Sequence, residues 1–239
     1  MSIIKEFLQK ILDEKSTDEI EINEKISKLE KYRDYILECN QYINLTAIKE
    51  KDEFDKKHIV DSLLAYEYIR GIEGDYILDL GTGGGFPGIP LAIMFPEKNF
   101  VLVDSLNKKL KIIEDGAELL GIGNVSVLHG RAEDIGKNSE YREKFDLVVS
   151  RAVASMPVLL ELVLPLVKEG GQFIAYKGPE VENEIKEAHN ALKKLGGEVF
   201  EIVKPDQETL EHVLLFVNKV GKTPDMYPRK AGTPSKKPL

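Results

Sequence analysis

The sequence predicts an α/β fold: a mostly parallel sheet wrapped by helices, ending in an antiparallel hairpin and preceded by a helical segment. Three observations carry this. A short apolar strand, Tyr76 to Leu80, runs into four glycines in five residues, Gly81, Gly83, Gly84 and Gly85, and then into a helix. From Gly71 onward, short apolar stretches alternate with helical ones, the pattern of parallel strands joined by crossover helices on both faces. Near the end, stretches 197–204 and 211–219 lie too close for a helical crossover. They should therefore pair antiparallel around a turn at Pro205–Asp206.

Residues 1–70 read helical. Ile3, Ile4, Phe7, Leu8, Ile11 and Leu12 recur at three and four, the spacing of an amphipathic helix. Asp18 is placed to cap a second helix bearing Ile22, Ile26 and Leu29, whose stripe continues through Tyr32, Tyr35 and Ile36. Residues 40–47 are polar and turn-like, and a third helix spans about 52–69 with Phe54, His58, Ile59, Leu63 and Leu64. Strands are expected at 76–80, 100–104, 125–129, 145–150 and 171–176, and helices near 87–95, 107–121, 155–168 and 180–195. The chain thus divides into a helical appendage (1–70), an α/β core (71–220) and a basic tail (221–239).

At 239 residues with 42% hydrophobic content, the chain suits one sizeable core with an appendage. The one cysteine, Cys39, allows no intrachain disulfide and suits a reducing compartment. The first residues lack the apolar run of a signal peptide, and no stretch approaches ~18 consecutive apolar residues. A cytoplasmic protein that does not enter membranes, and a monomer, is the expectation. A net charge of −8 argues against a general nucleic-acid coat. The tail is different: Lys219 to Leu239 holds six basic residues against one acid, 6 − 1 = +5, together with Tyr227. Cations plus an aromatic suit an RNA phosphate chain with a base to stack; a frayed C-terminus is the plainer alternative. The four histidines lack metal-ligand spacing, so no metal is indicated.

The glycine loop narrows the ligand. Glycines let the backbone turn sharply off the strand and approach a ligand closely. The dinucleotide pattern Gly-x-Gly-x-x-Gly fails at its third place, which is Phe86. Asp-x-Gly-x-Gly-x-Gly, Asp79 to Gly85, fits better and resembles the first motif of class I S-adenosylmethionine (AdoMet)-dependent methyltransferases. The reversed hairpin at the end of a parallel sheet also resembles that Rossmann-like fold. A carboxylate at Asp79 would repel a pyrophosphate but suit an ammonium or sulfonium.

In open α/β sheets the ligand sits at the carboxyl ends of the strands. Beyond Gly81 and Gly83, those ends supply Asp104, 23 positions after Gly81. It is placed to accept ribose hydroxyls or to cap the following helix. The loop Gly130-Arg131-Ala132-Glu133-Asp134 could read the adenine edge or carry surface charge. The fourth strand ends at Ser150-Arg151, and an Arg directly after a buried strand is seldom idle. That strand lacks the Asn/Asp-Pro-Pro-Tyr/Phe tetrad of many exocyclic-amine methyltransferases. Pyrimidine C5 chemistry needs a cysteine nucleophile, and Cys39 lies in the appendage. A ring nitrogen with its own lone pair, such as guanine N7, remains. It needs alignment and exclusion of water rather than a base.

Several strings match one family: Asn44-Leu45-Thr46, His58-Ile59-Val60-Asp61-Ser62-Leu63, the loop Asp79–Pro90, Ser150-Arg151-Ala152, Tyr176-Lys177-Gly178, and Tyr227-Pro228-Arg229-Lys230-Ala231-Gly232-Thr233-Pro234. From about residue 35 to its last residue, the chain resembles the glucose-inhibited division protein B family, the bacterial small-subunit ribosomal RNA guanine-N7 methyltransferases. The resemblance implies AdoMet contacts at Gly81, Phe86, Asp104, Ser105, Ala132, Glu133 and Arg151. It implies RNA or base contacts at Asn44, His58, Lys177 and Arg229, with Lys230 beside them as a phosphate ligand. Arg151, Lys177 and His58 are the candidates for catalytic roles. The expected partner is small-subunit ribosomal RNA or the small ribosomal subunit. Three rivals stand: a small-molecule methyltransferase, a non-enzymatic ribosome-assembly factor that retains AdoMet, and a nicotinamide oxidoreductase, the last weakened by Phe86 and Asp79.

Overall fold

A computed structural model describes residues 2–12, 18–204 and 212–239. Helix α1 covers Ile3–Ile11 and α2 covers Glu19–Cys39. Asp18 caps α2, its side chain accepting from the Ile20 amide at 3.0 Å; such caps contribute about 1 kcal/mol. The expected helix at 52–69 is helical but not uniform. It runs as α3 (Lys51–Phe54), a π-helical stretch (Asp55–Val60), a 3₁₀ turn (Leu63–Ala65) and α4 (Tyr66–Arg70). π-Turns of this kind cluster at functional sites, and this one carries His58.

The core follows as β1 (Tyr76–Leu80), α5 (Gly88–Met94), β2 (Asn99–Asp104), α6 (Asn107–Leu119), β3 (Val125–His129), α7 (Ala132–Ile135) and β4 (Phe145–Arg151). Then come α8 (Met156–Val163), β5 (Val167–Lys177), α9 (Val181–Glu187), α10 (His189–Leu195), β6 (Gly197–Val203), β7 (Val213–Lys219) and α11 (Thr233–Lys236). The helix expected at 155–168 ends at Val163, with Leu164 still helical as its cap, because Pro165 has no amide hydrogen to continue the ladder to the Glu161 carbonyl. The chain turns there into β5, which starts four residues earlier than the expected 171. The helix expected at 180–195 is broken at Ala188. The turn expected at Pro205–Asp206 lies outside the described residues, as does the start of the strand expected from 211.

The strands form one sheet in the order β3-β2-β1-β4-β5-β7-β6. The first five are parallel, and β7 pairs antiparallel with both β5 and β6. Alternate residues of each strand face opposite sides, as the pleat requires. Ile77, Phe100, Leu102, Val149 and Ile174 pack with α1, α2, α5 and α6. Leu78, Val101, Val103, Val148 and Phe173 pack with α8, α10 and Tyr227. The N-terminal helices are therefore part of the layer covering one face, sharing its hydrophobic core.

The tail is neither frayed nor an open cationic arm. Tyr227 is buried in the second core, and Arg142 donates to the carbonyls of Gly136, Thr223, Pro224 and Tyr227. Two of the six tail cations point inward. Lys219 is buried, its ammonium donating to the Leu164 carbonyl (2.7 Å), Glu143 (3.0 Å) and Thr223 Oγ1 (2.5 Å). Arg229, expected to meet RNA phosphate, instead grips Glu161 on α8. Its Nε and a terminal nitrogen reach the two carboxylate oxygens at 2.8 and 2.5 Å, and its backbone amide adds a third bond at 2.8 Å. Glu161 is fully buried.

Removing one partner of a buried ion pair strands the other charge, at about 3–5 kcal/mol. Arg229→Ala should lower the free energy of urea unfolding by roughly that amount. A loss below about 1 kcal/mol, typical of an exposed pair, would show that the tail is not held here.

Candidate active site at the mouth of the parallel sheet

The strand order reverses between β1 and β4: from β1 the chain builds outward through β2 and β3, then returns to place β4 on the other side. A crevice opens at such a switch point, at the carboxyl ends of the strands. Ser150 Oγ clamps its floor by donating to the Leu80 carbonyl at 2.9 Å. The glycine loop folds over the end of β2, the amides of Gly81 and Thr82 both donating to the Val103 carbonyl (2.9 and 3.0 Å).

Asp79 is the loop's internal anchor. It is fully buried, and its Oδ2 accepts from Thr82 Oγ1 (2.7 Å) and the Gly88 amide (2.9 Å). Asp104 holds the outer side, with Oδ2 accepting from the Gly83 amide (3.1 Å) and Oδ1 from the Leu106 amide (2.8 Å). Two glycines are required by contact as well as by backbone. Gly81 has φ +76°, and a Cβ there would lie 2.4 Å from Val153 Cγ2. Gly85 has φ +90°, and a Cβ would lie 2.3 Å from the Tyr32 hydroxyl. That hydroxyl, brought by α2, donates to the Gly84 carbonyl at 2.9 Å.

The residues present fit AdoMet. Asp79 Oδ1 is buried without a hydrogen-bond partner, an unused acceptor beside the loop that suits a cationic group. Burial pushes its carboxyl up to about 6, against the hydrogen bonds from Thr82 and Gly88 that favour the charge. A Cβ on Gly83 would meet nothing closer than 4.0 Å, so the backbone is open there. Asp104 is half-buried and keeps acceptor capacity for hydroxyls. Ser105 is exposed, its carbonyl accepting from His129 Nε2 at 3.1 Å. Ala132 and Glu133 open α7. Glu133 Oε1 accepts from the Gly232 amide at 2.9 Å, so one carboxylate oxygen is turned to the tail.

Across the mouth, Arg151 reaches from β4 to the helical appendage. It donates to Asp61 Oδ2 (2.6 Å), the Lys57 carbonyl (3.0 Å) and His58 Nδ1 (3.1 Å). The guanidinium lies 5.7 Å from the centroid of the Phe86 ring, and the His58 ring stacks on Phe86 at 4.9 Å. Phe86 is also packed edge-on by Tyr32 and Phe54. It is thus a core side chain whose neighbours include the mouth residues. Directly after Arg151, Ala152 takes a left-handed backbone (φ +56°), a strain of about 1–3 kcal/mol for a residue with a Cβ. The bend lays Val153 on Gly81, so the β1 and β4 loops interlock.

The remaining expected residues are placed unequally. Lys177 ends β5, but its ammonium is paired with Glu184 (2.6 Å) and donates to the Ala154 carbonyl (3.0 Å). Asn44 is exposed on a loop pinned by Asn40, which accepts from the amides of Leu45 and Thr46 and donates to the Thr46 carbonyl. Lys230 is exposed and makes no ion pair among the described residues. Sequence reasoning missed Tyr32, Thr46, Asp61 and His212. Asp61 was findable, since it lies one helical turn from His58 on the same face. No group of three or more metal-ligating side chains forms among the described residues, and no described helix is long and apolar enough to cross a membrane.

A family model described as rRNA small subunit methyltransferase G matches residues 25–213. A protein of Clostridium novyi (strain NT) described as ribosomal RNA small subunit methyltransferase G is 47% identical over 226 residues, covering 92% of each chain. Its namesake from Clostridium kluyveri is 45% identical over 216 residues, covering 90% of this chain and 91% of that one. Among solved structures, a ribosomal protein L11 methylase from Lactobacillus delbrueckii subsp. bulgaricus shares the fold. Its TM-score is 0.53 at 16% identity, covering 72% of this chain and 81% of that one.

Burial, and then the Arg151 charge, push the His58 imidazolium down to about 4. The neutral ring contributes stability that is fully present above about pH 6.5 and lost as pH falls towards 4. The His58 ring signals in an NMR titration should therefore stay constant from pH 8 to 6 and move only near 4. A midpoint near the ordinary 6.5 would mean that the ring is not enclosed as described.

Proposed function

This chain belongs to the rRNA small subunit methyltransferase G family, and we propose that it methylates guanine N7 in small-subunit ribosomal RNA by direct in-line attack, with no covalent enzyme intermediate. AdoMet, the cofactor of this fold, supplies a methyl group activated on a sulfonium. The glycine loop, Asp79 and Asp104 hold it at the switch point between β1 and β4. The rest of the work falls to the mouth residues: presenting the base edge-on to the methyl group and keeping water out.

One observation carries the choice of atom. His58 and Asp61, the possible bases beside Arg151 on the side of the mouth where the RNA base would sit, are already engaged. His58 meets Arg151 at one ring nitrogen and Thr46 Oγ1 at the other (2.6 Å), and Asp61 meets Arg151 and His212 with its two oxygens. Guanine N7 carries a lone pair and no proton, so its attack needs none of them free. An exocyclic amine or a hydroxyl would have to shed a proton.

Under this reading Arg151 and His58, stacked about Phe86, form the wall against which the base is positioned. Lys177, held by Glu184, supports the β5 side of the mouth. Asn44 and Lys230 are the outward contacts for RNA. Arg229 acts through the tail fold rather than on phosphate, because Glu161 occupies its guanidinium. In this role the protein is a cytoplasmic monomer working without a metal. The ribosomal substrate supports the compartment, and attack by an unprotonated ring nitrogen calls for no Lewis acid.

Labelled methyl transfer from AdoMet to small-subunit RNA from a strain lacking this gene should appear in 7-methylguanosine after digestion. Label in another nucleoside would sink the N7 assignment. Label on none of RNA, subunit or ribosome, with AdoMet still bound, would favour the small-molecule or assembly-factor reading. Lys230→Ala should weaken RNA binding and flatten the slope of log affinity against log salt by about 0.7–0.9. An unchanged slope would remove Lys230 from the interface.

A further inference from the structure

We propose that Asp61 is a positioning residue for methyl transfer: it aims Arg151 across the mouth and, through Arg151, fixes which nitrogen of His58 carries the proton. The inference rests on the reading of this mouth as the methyl-transfer site.

Asp61 is 1% exposed and lies between the π-helical stretch and the following 3₁₀ turn. Its two oxygens are divided. Oδ2 takes the Arg151 guanidinium at 2.6 Å, and Oδ1 takes His212 Nδ1 at 2.8 Å. The backbone around it is held as well. Ser62 Oγ donates to the His58 carbonyl (2.5 Å), and the hydroxyl of buried Tyr176 donates to the Ser62 carbonyl (2.6 Å). The carboxylate is therefore fixed from the helix, from β5 and from His212, just before β7. Arg151 is not fixed without it. Its other two acceptors, the Lys57 carbonyl and the His58 ring, are neutral, so only the bond to Asp61 joins two ionised groups, the short and strong kind. With Asp61 neutralised, a largely buried guanidinium loses its one ionised partner and gains by turning to water.

The consequence reaches His58. A guanidinium only donates, so His58 Nδ1, 3.1 Å from Arg151, must present its lone pair. In the neutral ring the proton then sits on Nε2 and is donated to Thr46 Oγ1 at 2.6 Å. Thr46 Oγ1 also accepts from the Ile48 amide at 3.1 Å, so its own proton points elsewhere. One buried carboxylate thus sets a hydrogen-bond direction running through Arg151 and His58 to the loop that carries Asn44.

The test is Asp61→Asn, which keeps the shape and removes the charge. For methyl transfer to small-subunit RNA, kcat should fall about 30-fold while AdoMet affinity by calorimetry changes less than about threefold, the scale of coupling within one hydrogen-bonded network. The ring-nitrogen NMR signals of His58, those of a single tautomer in the parent protein, should shift towards a mixture. Introduced into an Arg151→Lys background, Asp61→Asn should add little further loss, because residues acting as one unit are non-additive. Fully additive losses, or an unchanged kcat with unchanged His58 signals, would overturn the proposal. If Asp61→Asn does not fold, His212→Ala at the partly exposed edge decides. A lowered kcat with disturbed His58 signals supports the positioning role, and no change in either overturns it. If the parent protein transfers no methyl to RNA, the functional reading fails, while the His58 signals of the variants still judge whether Asp61 positions Arg151.

Discussion

Asp79, the last residue but one of β1, has no exposure to solvent, and the glycine loop is built around it. One of its oxygens ties Thr82 and Gly88 into a single turn, which sets where the loop leaves β1 and where α5 begins. Those two points fix the direction of the Gly83 amide towards Asp104 and the seat of Phe86 among the helices. A carboxylate kept from water is costly, and burial raises its proton affinity accordingly. The cost is offset in part by the two hydrogen bonds from Thr82 and Gly88, which favour the charged form.

The second constraint joins the helical layer to the mouth. Three polar links cross or brace that joint: Tyr32 to Gly84, Arg33 to Asp55 at 2.8 Å, and Arg151 to Asp61. Asp55 and Asp61 both belong to the irregular segment after α3, so the π-helical turn has a physical use. Widening the turn lets Asp55 face α2 while His58 and Asp61 face β4. A regular helix would carry the two faces round at a different angle. Asp55 is 3% exposed, and that burial raises its carboxyl to about 6 even with Arg33 alongside.

Much of this was legible in the sequence, for identifiable reasons. Strands such as Phe100–Val103 are apolar runs bounded by polar residues, and their period needs no tertiary information. The glycine loop is legible because its backbone demands are local. What stayed hidden depends on partners far along the chain. Nothing near Arg229 reveals that Glu161 will meet it, and nothing near Lys219 reveals Glu143. Both cations therefore read as RNA ligands when one faces a buried acid and the other lies in the core. Asp61 was passed over for the same reason, since its two partners are 90 and 151 positions away. The early end of α8 was visible in Pro165, whereas the break at Ala188 has no evident local cause.

The inward turn of Lys219 and Arg229 changes how the molecule meets its substrate. Each is neutralised internally by one acid, so the pairs cancel, and the overall charge of −8 must be displayed largely on the outside. An acidic body approaching a polyanion is repelled at long range, and most collisions end before contact. Only orientations that lead with an exposed cation such as Lys230 would escape that field. Repulsion then acts as an orientational filter: it makes encounters rarer but enriches them in productive ones. Moderate salt would relax the filter by shortening the Debye length, even as it weakens the local contacts that follow.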